Sequence, residues 1–541
     1  MKKIKLYIVC ALGVAYLFFS GCSKKLDVAP PNNITDQQIK DLLASGDTAK
    51  IRLVIGGMAN SMPLLFNYSG IPNMGSADVS YYTNQGLDVM RSLEGNDMVL
   101  GNQTGLGTLA GSTEYDLGNF QSENDERENA AYWYYAWTII TKANQLLNYL
   151  PNNIVANNTF LEGAKASGLV IRAYAYNFLM ENYQDAYILG GNTKLGMPIY
   201  TTFNPYQPYL ARASAADTYK FIKEDLDTAI SLLTSAGIGY TISNPSDIDL
   251  GVTNFILARV SIVTGDWATA ISACNNILSH YPDFMTQVQY GSKNTGTAAN
   301  PIFDPTQNGF LNNAQDPEVI LGFPVGVANT AFVDLMDPFG GSYGGRLTAY
   351  KRIDDRLYNM LPNTDYRKDG FQGNTPFGNY TYPQDWTVNT LPSYINFKFA
   401  STQGFDGVGI HSDQTTCQYM RSSEVLLMKA EAQAQSGDGS GAENTLNILL
   451  AARTRTGATP LTCATYPSMA GMTALQMVEL QTRIEMWGER GLEFYNNKRW
   501  NIPVDRTGSN DHVNFNTLPV SGMTIQIPEN EMNNNPKMVQ N

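Results

Sequence analysis

Two stretches of this 541-residue chain repeat one plan, and that repeat limits the fold more than any other feature. Leu257-Ala258-Arg259 leads to Gly265-Asp266-Trp267-Ala268 and on to Leu278; Lys429-Ala430-Glu431 leads to Gly437-Asp438 and on to Leu449. In each, an alanine-bearing helical segment is followed, seven residues after the Ala, by Gly-Asp and then by a second helical segment. Glycine supplies a left-handed C-cap and aspartate an N-terminal acceptor, so each unit reads as a tight helical hairpin. Such a hairpin cannot bury both faces alone and must stack on neighbours.

Other segments supply those neighbours. From Asn129 to Leu150, Trp133, Trp137, Ile140, Ala143, Asn144 and Leu147 recur at helical spacing, and Pro151 ends the run. A second helix is expected from about Leu161 to Tyr183, and a third over Ala215 to Leu233, where Tyr219, Ile222, Leu226 and Ile230 form the apolar stripe. The chain therefore reads as all-α, built from stacked hairpins of the tetratricopeptide kind. Residues 281–418 break the pattern, being rich in Gly, Pro, Asn and aromatics with few helix-length apolar periods. They read as a long irregular insertion of the kind that carries function.

The N-terminus carries an address. Lys2, Lys3 and Lys5 precede the apolar run Ile8 to Phe19, which ends in Ser20-Gly21-Cys22, the layout of a secretory signal peptide. The run is shorter than the roughly 20 residues a spanning helix needs. Phe19-Ser20-Gly21-Cys22 resembles the lipobox of bacterial lipoproteins, so residues 1–21 are expected to be removed and Cys22 lipidated. Residues 22–50 then form a lipidated, polar tether, with Pro30-Pro31-Asn32-Asn33 stiffening its start.

Composition excludes several chemistries. Loss of the three signal lysines takes the net charge from −13 to −16, which disfavours nucleic acid as a partner. Cys274, Cys417 and Cys463 remain in the mature chain, too few for a disulfide framework. His280, His411 and His512 are widely separated and lack ligand-spaced partners, so a catalytic zinc is not expected. Asp and Asn are plentiful enough to hold a calcium ion, yet no segment has the spacing of a calcium loop, and no cofactor is expected. The Gly-rich stretches at 101–107 and 340–345 lack the Lys-Ser/Thr ending of a phosphate loop.

A set of motifs in fixed order resembles the SusD/RagB-like outer-membrane nutrient-binding lipoproteins of Bacteroidetes. It comprises Trp137 to Asn144, Gly163-Ala-Lys through Arg172-Ala-Tyr-Ala-Tyr, Ile222 to Ile230, Arg421 through Glu431, Arg483 to Gly491 with Lys498-Arg-Trp500, and Ile527-Pro-Glu-Asn-Glu through Asn541. Glu493-Phe-Tyr-Asn-Asn departs from the pattern, standing where many relatives have an Arg and an Asp-Leu pair. The resemblance implies one SusD/RagB-like domain over 51–541, with a helical part at 51–280, the loop-rich insertion at 281–418 and a C-terminal helical part at 419–541. It further implies a surface protein that binds an oligosaccharide or polysaccharide and delivers it to a SusC-like, TonB-dependent outer-membrane transporter. A peptide-binding relative of the RagB type shares the scaffold. A surface glycosidase is the enzymatic alternative, and a purely structural cap on the transporter is a third.

Arg421, Glu424, Glu431, Arg483, Glu485, Glu489 and Arg490 lie in helical patterns and are expected to form helix-surface or inter-helix pairs rather than catalytic dyads. Ligand contact then falls to aromatic and amide groups on loops, since sugars offer apolar faces and hydroxyl rims. Asp78, Tyr81, Tyr82, Asn84 and Gln85 are candidates before the first motif, and Phe339, Tyr343, Arg346, Tyr382 and Trp386 in the insertion. The other five tryptophans lie in helical patterns and are read as packing residues.

Overall fold

The computed structural model describes residues 35–74, 82–100, 126–204, 206–291, 304–324, 335–338, 350–375, 380–381, 387–388, 392–400, 416–512 and 517–541. The chain divides into an N-terminal unit ending at Gly57 and a body, Met58–Asn541.

Part of the segment read as a tether is helical. Helix α1 (Asp36–Ser45) starts on a capping box, in which the Thr35 hydroxyl accepts from the Gln38 amide while the Gln38 side chain accepts from the Thr35 amide. Gly46 ends it in the left-handed conformation, φ 69°, and α2 (Thr48–Asn60) follows. The Thr-x-x-Gln signature was present in the sequence and overrides the polar composition that spoke for extended chain.

The principal helices of the body are α3 (Asn84–Leu93), α4 (Glu126–Asn148), α5 (Thr159–Tyr183), α6 (Ala215–Ala236), α7 (Leu250–Thr264), α8 (Trp267–Leu278), α9 (Ser422–Gln435), α10 (Gly439–Ala452), α11 (Ala474–Glu485) and α12 (Leu492–Trp500). Each of α4 to α11 packs on its predecessor, with α9 also meeting α11, so two blocks separated by the insertion form one continuous stack. The repeated Gly-Asp turns act as expected. Gly265 and Gly437 are left-handed at φ 75° and 91°, and Asp266 and Asp438 cap α8 and α10 by accepting from the amides of Thr269 and Gly441. Helix α7 is buried on every face from Gly251 to Val263, as befits a helix with neighbours on both sides. On α6, Ala229 and Leu233 complete the buried stripe, and Ile230 stands half-exposed beside it.

Three resemblance motifs meet at one point. Arg172 on α5 makes a two-pronged pair with Asp225 on α6, at 2.7 and 2.8 Å, and donates to Asn144 on α4 at 2.9 Å. The group is buried, so its charge-assisted bonds fix the rotation of three helices together.

The insertion contributes strands as well as loops. β2 (Val319–Pro324) pairs antiparallel with β6 (Thr416–Arg421), in a register that sets Val319 against Arg421 and Phe323 against Cys417 and is interrupted around Leu321. β1 (Met98–Val99) pairs with β3 (Arg352–Ile353), and β4 (Tyr380–Thr381) with β5 (Thr387–Val388). Trp133, Trp487 and Trp500 are buried, whereas Trp137 and Trp267 are half-exposed. Cys274, Cys417 and Cys463 are buried and no disulfide joins them.

Candidate functional site

The insertion and the C-terminal helical part share a buried ionic platform. Arg421, at the end of β6, meets Glu485 at 2.6 Å, Glu318 at 2.9 Å and Glu489 at 2.8 Å. Arg453 reaches Glu318 at 2.6 Å and Glu485 at 2.8 Å; Arg367 bonds Asp365 at 2.6 Å and Glu485 at 3.1 Å; Lys398 completes the set on Glu489. Four carboxylates thus face four cations with almost no access to water. Burial alone would raise the Glu485 carboxyl, but Arg453, Arg421 and Arg367 together hold it well below the usual range. Burial lowers the Lys398 ammonium to about 8 despite the attraction of Glu489. Of the two forms of pairing expected for the charged motif residues, along a helix surface or between helices, the structure shows pairs between distant elements inside the protein.

A crevice opens above this platform, walled by Gln85 and Asp88 of α3, Phe310 and Phe399 of the insertion, Gln418 and Tyr419 of β6, and Glu489 and Arg490. It holds about 30 Å³ of open space, room for a water or two. Phe310 and Phe399 meet edge to face with centroids 5.6 Å apart. The Tyr419 hydroxyl donates to Asn67 at 3.0 Å.

The turn from α11 to α12 places the charged wall. Gly488, Arg490 and Gly491 all have positive φ, at 74°, 51° and 65°. A Cβ on Gly491 would stand 2.6 Å from Cβ of Arg91, so only glycine fits there. Arg490 is the strained member, and its guanidinium pairs with Glu424 and lies 5.5 Å from the centre of the Phe255 ring. Burial lowers Arg490 to about 10, with Arg259 adding repulsion. Asp88 accepts no bond from a described residue through its side chain; burial raises its carboxyl to about 7 against the pull of Arg490 and Arg91. Both groups also line a second crevice with Tyr174, Phe178, Glu181 and Tyr495.

Of the residues expected at a ligand surface, the structure describes three. Gln85 is buried in the crevice wall. Tyr82 is half-buried, its carbonyl accepting from Gly70 at 3.0 Å and Ile71 at 3.1 Å. Asn84 is fully buried and holds α3 in place, its amide donating to the Phe66 carbonyl at 2.6 Å and to Tyr419 at 3.3 Å, so the expectation of an accessible amide there is corrected. Asp78, Tyr81, Phe339, Tyr343, Arg346, Tyr382 and Trp386, and the lipidation candidate Cys22, lie outside the described residues. Asp88, Phe310, Phe399 and Tyr419 escaped sequence reasoning, because four separate segments supply them and none carries a local signature. Among the described residues no cluster of His, Cys, Asp and Glu could hold a metal ion, and no helix is long and apolar enough to cross a membrane.

Comparison with known proteins agrees with this architecture. Residues 289–541 match the model of the SusD family, and residues 98–243 match a model described as starch-binding associating with outer membrane. No curated protein matches the chain in sequence. Among solved structures, a SusD-like carbohydrate binding protein from Bacteroides vulgatus is similar at 20% identity, covering 91% of this chain and 97% of its own, with a TM-score of 0.64. A SusD superfamily protein from Bacteroides thetaiotaomicron gives 17%, 91%, 99% and 0.63, and surface glycan-binding protein A from Bacteroides fluxus 18%, 91%, 99% and 0.60. With family models matching residues 98–243 and 289–541, together well over half of the chain, this protein belongs to the SusD/RagB-like family.

Proposed function

We propose that this chain is a surface lipoprotein of the outer membrane, anchored through Cys22, that binds an oligosaccharide or polysaccharide and passes it to a SusC-like, TonB-dependent transporter. The observation that carries the reading is the crevice above the ionic platform, where rings of Phe310, Phe399 and Tyr419 meet Gln85, Gln418, Asp88 and Arg490. The three rings are buried, so they serve as a rigid base for a sugar-binding surface rather than as the surface itself, and a rigid base limits the ordering cost of binding. The crevice is too small to enclose a sugar. The starch-binding description of one matching model and the glycan-binding name of a structural relative point the same way. Transfer is binding followed by hand-over, with no bond broken, and no cofactor takes part.

Calorimetry on the mature chain with a panel of neutral oligosaccharides and short peptides tests the proposal. Saturable binding of glycans, with no reducing ends released on prolonged incubation, is the expected result. Binding of peptides alone would establish the RagB-type alternative, and release of reducing ends a glycosidase.

A further inference from the structure

A groove of ligand size lies elsewhere, where α6 and α8 flank the buried helix α7. It is open to solvent along its length and holds about 700 Å³ of space. None of the described side chains lining it is Asp, Glu, Lys or Arg, although the chain carries a net charge of −13. At one end the rings of Tyr240 and His280 stack nearly parallel, centroids 3.7 Å apart at 11°. His280 is exposed, and its Nδ1 lies 2.9 Å from the Asn276 carbonyl and 3.1 Å from the Ser279 hydroxyl, which fixes the ring plane. On the floor, Asn254 is only 4% exposed. Its amide nitrogen donates to the Leu250 carbonyl at 2.8 Å and to Tyr240 at 3.4 Å, and no described residue donates to its Oδ1. Thr269, Ser272 and Asn276 add hydroxyl and amide groups along the α8 wall.

We infer that this groove is a second carbohydrate site, taking a neutral, hydroxyl-rich chain and distinct from the insertion-bearing surface. Asn254 on the floor and the hydroxyls and amides of the wall opposite offer donors and acceptors together, a demand that sugar hydroxyls meet from either side. The fixed ring pair supplies an apolar platform for a sugar face. A docked amphipathic helix would want an unbroken apolar trough, whereas here hydroxyls and amides interrupt the aliphatic residues. Absence of fixed charge turns away acidic and basic ligands alike. The inference rests on the carbohydrate reading above and extends it to a second surface.

The test uses the mature chain and three variants: Asn276→Arg and His280→Ala in the groove, both at exposed positions, and a Tyr81→Ala/Trp386→Ala double variant in the loops. Each is titrated with neutral α- and β-linked gluco-, galacto-, manno- and xylo-oligosaccharides, and hydrogen exchange is followed with the ligand bound. The expected results are two binding events in the parent, at least a tenfold loss of one in Asn276→Arg, and glycan-dependent protection of residues 268–280 that persists in the double loop variant. Glycan binding that is unchanged in both groove variants, without protection of 268–280, overturns the second site and leaves the first. No glycan binding by any form overturns the carbohydrate reading itself. Protection of the groove by a neutral peptide and not by glycans overturns the inference in favour of a protein partner.

Discussion

At the scale of single residues, this protein buries charge and balances it. Glu485 touches Arg367, Arg421 and Arg453 at once, so Glu485→Gln would leave three guanidinium groups facing too little negative charge. Removing one member of a buried ionic group costs about 3–5 kcal/mol, and a urea midpoint lowered to match is the expected outcome. Glu493 behaves oppositely. Burial, reinforced by repulsion from Asp97, raises its carboxyl from 4.5 to about 8, against Arg483 and the Asn96 amide that donates to it at 2.9 Å. A folded-state value above the unfolded one means the native protein holds an extra proton between the two. Its contribution to stability is full below pH 4.5 and disappears as pH rises through about 8. Glu493→Gln should therefore flatten the stability profile across that window and raise stability at pH 8 relative to the parent, as read from melts in matched buffers; an unchanged slope would assign the proton to another group. Position 493 is also where the sequence departs from the family pattern, and the departure places a titrating acid under Gly95, where a Cβ would stand 1.6 Å from its carboxylate.

At the scale of elements, the sequence was most legible where a period or a cap made a local statement. Helices α4, α5 and α6 begin and end within three residues of expectation, because apolar spacing and the flanking Pro151, Ser214 and Gly237 all act locally. The ionic platform was legible only as charges that would pair along or between helices; which ones meet was not, since the partners of Arg421 lie 64, 68 and 103 residues away. Candidate ligand residues fared unevenly for a related reason: Gln85 and Asn84 sit in the first turn of α3, so the helix that follows decides their exposure. Caps also allow a stability forecast. Asp249 caps α7 through the Val252 amide at 2.9 Å and accepts from the Thr241 hydroxyl at 2.8 Å. Asp249→Ala should cost about 2 kcal/mol, the upper end for a cap, and Asp249→Asn much less, measured as midpoint shifts at constant denaturant slope.

At the scale of the whole molecule, a stack of helical hairpins offers two kinds of surface: the side bearing the insertion and the grooves between hairpins. The proposed lipid on Cys22 would raise the local concentration of both at the transporter without altering either. Cys22→Ala should therefore leave the glycan affinity of the mature body unchanged while lowering nutrient uptake by cells, measured with labelled oligosaccharide; equal uptake would make the anchor dispensable for delivery.

The ionic platform also sets an order of events for folding, and for the export proposed above. Glu318 waits for Arg421 103 residues later and for Arg453 135 residues later, and both wait for Glu485. None of these charges can be buried safely until its partners are present, so in the proposed export the body cannot lock before its C-terminal part has followed. Long-range closure of this kind slows folding. Under the export proposed above that delay is an advantage: the last sixth of the chain is the latch, and it arrives only when export is nearly done.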